Sequence, residues 1–301
     1  MGFAVLVIGA TGKTGRRVIP QLVERGVTVR AAGRTPVPAR DGVEPVRFDW
    51  QDEGTYQAAL DGVDAVYVVG GHLSDSVSDP VAPAEAFFGR MADTGVRRVV
   101  LMSAMGVDRL PDPKDPLRRF ELLVDGSGIP STILRPGVFM QNFSEGYAPP
   151  STARIRERSE IALPGGEAPV RYISTVDIGA VAAIALTEDG HEGKGYTLLG
   201  PEALTLPEVA EYLSAAVGRP IRHVETSREE GVRDVMTGYG TTAEFAEYVA
   251  RLYVMSIRSG YGHGTDDSGM TGLVADDFTA ITGRPATTFA EFAKGAADAW
   301  R

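Results

Sequence analysis

The chain has 301 residues, 43% hydrophobic and 23% charged, the balance of a globular protein that can bury a full core in one large α/β domain or in a nucleotide domain with a smaller partner. Its formal charge of −10, without a basic tract, argues against nucleic acid as a partner, because a phosphate backbone recruits clustered Lys and Arg. There is no cysteine, which excludes disulfides and thiolate chemistry, and His72, His191, His223 and His263 show no compact ligand spacing, so no metal is expected.

The chain enters a strand at once, with no leader, and its longest apolar runs are too short to span a membrane; a cytoplasmic location without a membrane partner is expected. Residues 3–8 are continuously apolar, as in a strand buried on both faces of a parallel sheet. Residues 13–25 place Val18, Ile19, Leu22 and Val23 on one helical face, and Gly26 ends that helix. Residues 27–32 read as the second strand and 46–48 as the third. A short helix over 51–60 leads to a fourth strand, 65–69, ending at Gly70-Gly71. A helix over 81–94, a strand over 99–102, a helix over 115–126 and a strand over 131–134, stopped by Arg135-Pro136-Gly137, complete the series. Helices crossing over between strands in this way predict an α/β fold with a doubly wound parallel sheet, the Rossmann arrangement.

The pattern loosens beyond about Phe143. Tyr147-Ala148-Pro149-Pro150 and Pro164-Gly165-Gly166 are loop signals. Residues 175–186 read as an amphipathic helix with Asp177 in its first turn, where the helix dipole favours negative charge. Residues 196–199 read as a strand, and from Pro207 onward the chain is mostly helical, closing with 288–300. The expected division is a dinucleotide-binding domain over 1–145, with 175–200 returning to it. Residues 146–174 and 201–301 form a smaller, mostly helical cap on the substrate side.

The spacing Gly9-x-x-Gly12-x-x-Gly15 falls between the first strand and the first helix. A pyrophosphate must approach the main chain closely there, where residues without a Cβ leave room and a helix N-terminus offers its N–H groups. Glycine turns at helix starts are common, but position, strand and following helix all agree. Gly9, Thr11, Gly12, Lys13, Thr14 and Gly15 are therefore expected to hold a dinucleotide. At the end of the second strand an acid would hold a ribose 2′-hydroxyl, whereas an arginine accommodates a 2′-phosphate. The chain has Gly33-Arg34 there and no acid before Asp41, with Lys13 as a second cation, so NADP(H) is the expected cofactor and a solvated loop arginine the alternative. Asp49 and Trp50, closing the third strand, would lie beside the adenine; Trp50 as a core-capping aromatic stays open. Gly70, Gly71 and His72, after the fourth strand, allow close approach of the main chain to the cofactor, and His72 either touches substrate or is incidental.

These residues, with Ser103-Ala104-Met105-Gly106 and Thr132-Ile133-Leu134-Arg135-Pro136-Gly137-Val138-Phe139-Met140-Gln141-Asn142-Phe143, resemble the NmrA-like branch of atypical short-chain dehydrogenases. Thr282-Gly283-Arg284-Pro285 and residues 288–293 are similar to the ergot-alkaloid (agroclavine or festuclavine) dehydrogenase subgroup. The resemblance covers nearly the whole chain. It implies NADP(H) binding, a cap that helps form the substrate pocket, and a nicotinamide lying against 135–139, which adds Pro136, Gly137, Val138 and Phe139 to the cofactor set. Members of the family include reductases of quinones and of iminium or enone carbons, and redox sensors without turnover.

One family feature is absent. Many short-chain dehydrogenases use a Tyr-x-x-x-Lys pair, in which the lysine depresses the tyrosine pKa so that it can shuttle a proton. The lysines here are Lys13, Lys114, Lys194 and Lys294, and none lies four residues after a tyrosine. Ahead of Glu121 and Ser127-Gly128, where the family sets the pair, the chain reads Lys114-Asp115-Pro116-Leu117-Arg118, with Arg118 at the lysine's place. Reducing an ordinary ketone develops an alkoxide that demands a positioned acid. An iminium carbon needs no proton at the hydride step, and a quinone or activated enone spreads its charge.

The expected function is therefore an NADPH-dependent reductase that transfers a hydride to a conjugated or iminium-type small molecule (quinone, enone or cyclic imine) in secondary metabolism. A redox sensor that binds NADP(H) without turnover, and a cofactor-bound cyclase or isomerase, are the alternatives. Ser103, at the fifth strand's end, is both a cofactor and a catalytic candidate, with Lys114 and Arg118 as further catalytic candidates. His72, Met105, Asn142, Phe143 and Tyr172 are expected on the substrate side, with core packing the alternative for Phe143. A small-molecule substrate is the expected partner, and a homodimer stays open.

Overall fold

Buried, β-branched runs become strands, and glycines or prolines end them. In chain order the elements of the computed structural model are β1 (Ala4–Ile8), α1 (Gly15–Glu24), β2 (Thr28–Gly33), β3 (Val43–Arg47), α2 (Tyr56–Leu60), β4 (Ala65–Val69), α3 (Ala82–Ala92), β5 (Arg98–Met102), α4 (Pro116–Gly126) and β6 (Ser131–Pro136). There follow α5 (Thr152–Arg158), β7 (Glu160–Ala162), β8 (Val170–Arg171), α6 (Thr175–Thr187), β9 (Lys194–Leu198), β10 (Ala203–Leu204), α7 (Leu206–Val217), β11 (Arg222–Val224), α8 (Arg228–Tyr239), α9 (Asp277–Thr282) and α10 (Phe289–Gly295). The structure describes residues 2–69, 81–110, 112, 114–146, 152–239, 242–244, 246–248, 250 and 277–301. Among them no helix is long and apolar enough to cross a membrane.

Seven strands form one sheet in the order β3-β2-β1-β4-β5-β6-β9. Every neighbouring pair is parallel, with Val5 opposite both Val29 and Ala65. Strand order reverses between β1 and β4, the switch point outside whose carboxyl ends ligands gather in open α/β sheets. One face of the sheet buries Leu6, Ile8, Val66, Val68 and Leu101 against Tyr56, Phe87, Phe88, Phe120 and Val124 of α2, α3 and α4. On α6, Gly179 lets α1 come close, because a Cβ there would lie 3.0 Å from the Arg17 carbonyl oxygen.

Within the sheet and its covering helices, the third strand and the 175–187 helix differ from the sequence expectation. The third strand begins at Val43 rather than Val46; Glu44-Pro45 hid it, and a proline is tolerated because β3 is an edge strand. The helix over 175–187 is not amphipathic: Thr175, Asp177 to Gly179 and Val181 to Leu186 are all buried. It packs against the sheet and α1 together, so it is apolar on nearly every side, as a core helix must be.

The chain forms two compact units: Met1–Pro136 with Thr175–Leu198 and Ala280–Gly283, and Gly137–Ser174 with Leu199–Thr279 and Arg284–Arg301. Strand periodicity carries the first domain to 145, but Met140 and Phe143 bury their side chains in the second unit's core, with Tyr172, Leu206, Leu213, Phe289 and Trp300. That unit holds two short ladders, β8 with β10 antiparallel and β7 with β11 parallel. Capping boxes at Thr205/Glu208 and Thr288/Glu291 start α7 and α10. The Trp300 indole N–H donates to the Phe143 carbonyl at 2.7 Å, tying the chain's end to this core.

Candidate active site

The turn from β1 into α1 is a bare main-chain cradle. Gly9 has a φ of +75°, its carbonyl accepts from the Gly12 N–H at 2.9 Å, and Thr11 and Gly12 are exposed. A Cβ at Gly12 would stand 3.1 Å from the Gly9 carbonyl oxygen, and one at Gly15 would collide with that oxygen outright. Gly15 therefore seats the helix on the turn, while Gly12 keeps the open side clear. Thr14 precedes the helix but its side chain does not cap it. Tyr67 of the neighbouring β4 is completely buried, and that burial pushes its pKa above the ordinary phenol range. Lys13 is half-buried; burial first, then the charges of Arg16 and Arg17, lower its pKa to about 8. Glycines that a side chain would fill and a crowd of cations at a helix start fit an anionic dinucleotide.

Arg34 is exposed directly beyond β2, which neighbours β1. Asp49 is half-buried, and its Oδ1 accepts from the Gln51 N–H at 3.1 Å in a local turn. The Trp50 ring belongs to the core, meeting Phe48 edge-on at 4.9 Å and Phe87 at 5.4 Å. Gly70, Gly71 and His72 lie outside the described residues.

Ser103 stands just beyond β5 and its N–H donates to Leu134 of β6 at 2.8 Å. Its Oγ is buried without a hydrogen-bond partner, a polar atom whose burial is costly until a ligand bonds it. Met105 is half-buried and its N–H donates to the Pro136 carbonyl at 3.0 Å, so the segment following β5 runs along the end of β6. Lys114 is exposed, its N–H turned to Asp112. Arg118 is held on Glu121 at 3.0 Å. Glu121, fully buried, also grips Arg135 through two contacts of 2.9 Å, and Asp108 lies 3.8 Å from the same guanidinium. Burial works against the Arg135 charge, but its hydrogen bonds to Glu121 and the nearby carboxylates prevail and raise its pKa.

Sequence reading missed this network. The signal was available: Leu117, Phe120, Glu121 and Val124 share one buried face of α4, and a carboxylate on such a face requires a cation.

In the second unit Val138 and Phe139 are half-buried, and the Phe139 main chain bridges to Ile173. Asn142 is half-buried. Phe143 and Tyr172 meet edge-on at 5.3 Å and both pack against Phe289, so their rings are core.

A family model described as NAD(P)H-binding matches residues 9–189. An NAD(P)H azoreductase of Xenophilus azovorans is 36% identical, over 98% of this chain and 99% of its own. A (4-alkanoyl-5-oxo-2,5-dihydrofuran-3-yl)methyl phosphate reductase of Streptomyces griseus is 34% identical over the same shares of each chain, 98% and 99%. A festuclavine dehydrogenase of Aspergillus fumigatus is 30% identical over 98% of both chains. Among solved structures, an NADPH-dependent quinone oxidoreductase of Escherichia coli in complex with NADPH superposes with a TM-score of 0.75 at 25% identity, over 97% of this chain and 99% of that one.

Proposed function

Since this chain belongs to the NAD(P)H-binding family, in its NmrA-like branch of atypical short-chain dehydrogenases, we propose that this NADP(H)-dependent oxidoreductase reduces conjugated or iminium-type small molecules rather than isolated ketones. The observation that carries the reading is the state of the sheet unit's phenols. Burial first, then Glu53, Asp49 and Asp52, push the Tyr56 hydroxyl up to about 12, and it donates to the Trp50 carbonyl. Tyr67 is raised as well, and the Tyr196 hydroxyl is bonded to His191 at 2.9 Å. A general acid works best with a pKa near the operating pH. Tyr56 and Tyr67 are thus moved away from that range, and among the described residues of this unit no tyrosine stands four residues before a lysine.

Bound NADPH supplies the hydride. The main chain of 9–15 would hold the pyrophosphate, Arg34 and Lys13 the 2′-phosphate, and Ser103 an oxygen of cofactor or acceptor. Such a site has little means of protonating an alkoxide, whereas a conjugated acceptor spreads its charge and can take a proton from water. The relatives' names support the reading: an azo group, an unsaturated dihydrofuranone and a quinone are all conjugated acceptors.

The test follows NADPH absorbance with a naphthoquinone, a 2,5-dihydrofuranone, an azo dye, a cyclic iminium and cyclohexanone. Turnover of one or more of the first four and none of the ketone is expected. Equal rates on cyclohexanone would overturn the substrate class, and tight NADPH binding without any turnover would favour a sensor.

A further inference from the structure

The charge network beside β6 has a use beyond neutralising itself. It joins four places: Arg118 and Glu121 on α4, Arg135 near the end of β6, Asp108 in the short turn Val107–Arg109, and Gly195 on β9. Gly195 takes part by what it lacks, since a Cβ there would run into the Arg135 guanidinium. The seat of the guanidinium is thus built from three sides. Arg135 is followed directly by Pro136 and Gly137, and Asp108 lies two residues past Gly106, which closes the Ser103 segment in a left-handed turn with φ +80°. The network therefore holds both the Ser103 segment and the end of β6 at Pro136, which carry cofactor candidates at this side of the sheet.

We propose that Glu121 and Arg135 are positioning residues: their paired contact sets the spacing between the Ser103–Met105 segment and the end of β6 at Pro136, and so keeps this side of the site ready for NADPH. The inference rests on the cofactor reading given above. A bidentate carboxylate–guanidinium pair suits this role because its fork geometry fixes orientation as well as distance. Displacing a binding segment by about 1 Å can cost on the order of a hundredfold in function.

A purely structural pair behaves differently under double replacement. Exchanging a whole buried ion pair for apolar residues of similar volume is often neutral for stability, whereas removing one partner is not. NADPH affinity, by fluorescence titration, and thermal midpoint are measured for the wild type, Glu121→Gln, Glu121→Leu/Arg135→Met and Arg135→Lys. The expected result is that Glu121→Gln lowers the midpoint and weakens NADPH about tenfold or more. The double variant regains the midpoint but not the affinity, and Arg135→Lys, which keeps the charge without the fork, also binds weakly. A double variant restored in both, or an Arg135→Lys chain with wild-type affinity, overturns the proposal. Failure of the wild type itself to bind NADPH overturns the cofactor reading instead, before any variant is compared.

Discussion

The turn after β1 and the cluster beside β6 both stand at the carboxyl ends of sheet strands, and they handle positive charge in opposite ways. At the first, Lys13, Arg16 and Arg17 crowd together, and burial with like charge lowers the Lys13 pKa to about 8. At the second, burial also works against the charge of half-buried Arg135, yet its hydrogen bonds to Glu121 and the carboxylates of Glu121, Asp108 and Asp125 raise its pKa. One place gains from an anion brought from outside; the other carries its own. Clustered cations with a depressed pKa mark a surface shaped for an anionic ligand, whereas a self-neutralised pair marks a brace.

The sharpest way to break that contrast is Gly12→Val. The branched side chain would fill the open side of the cradle, 3.1 Å from the Gly9 carbonyl, while Gly12 itself is exposed and contributes nothing to the core. Losing two charge-assisted hydrogen bonds at about 1.5–3 kcal/mol each means a hundredfold or greater loss of NADPH affinity. Circular dichroism should stay that of a folded chain. Retained affinity in a folded variant would show that the anion sits elsewhere.

Next in size is a pH effect. The Lys13 pKa lies below its ordinary 10.5, so between about 8 and 10.5 the unfolded chain binds more protons and the free protein gains stability as pH rises through that window. A bound anion raises the pKa again, so NADPH binding takes up a proton there and its affinity falls as pH rises. The fall approaches about tenfold per pH unit between pH 8 and 10 if one proton is linked. Titrations at pH 7, 8, 9 and 10 should show it, and Lys13→Met should flatten it. A flat wild-type profile would remove Lys13 from the anion site.

The two regions were not equally legible in the sequence. The cradle is written in the main chain: Gly9, Gly12 and Gly15 sit between an apolar run and a periodic helix, and local sequence is enough to see why. The brace is written in side chains 14 residues apart, and neither Glu121 nor Arg135 announces its partner. The same limit applies to Trp50, Phe143 and Tyr172. An aromatic at a strand end or in a loop reads alike as pocket wall or as core, and only contacts with Phe87 or Phe289 decide. The helix over 175–186 reads as amphipathic in the sequence, yet even its polar Thr175 and Asp177 are buried.

Arg34 sharpens the contrast from the ligand's side. It stands exposed beside the cradle, at the end of the strand next to β1. NADPH should bind at least tenfold more tightly than NADH, since an arginine–phosphate contact is worth about 1.5–3 kcal/mol, roughly ten- to hundredfold. Arg34→Ala should remove most of the difference while leaving NADH affinity nearly unchanged. Equal affinities of the two cofactors in the wild type would sink the assignment.

The smallest expected effect concerns what the brace leaves out. Arg118 takes the place where a lysine would serve a tyrosine, and it is committed to Glu121 at 3.0 Å. If the acceptor needs no strong acid, a tyrosine elsewhere is not required to replace the missing pair. Tyr239, Tyr248, Tyr253 and Tyr261 are the ones to change, each to Phe, which removes the hydroxyl and keeps the ring. Tyr248 is half-buried; Tyr253, Tyr261 and the Tyr239 side chain lie outside the described residues. An essential general acid typically contributes about 10²–10⁴-fold, so each variant should lower kcat by less than about tenfold on a conjugated acceptor. A thousandfold loss in one of them, with NADPH affinity intact, would place a proton donor outside the sheet unit. The site would then be equipped to protonate an alkoxide, and isolated ketones would return as substrates.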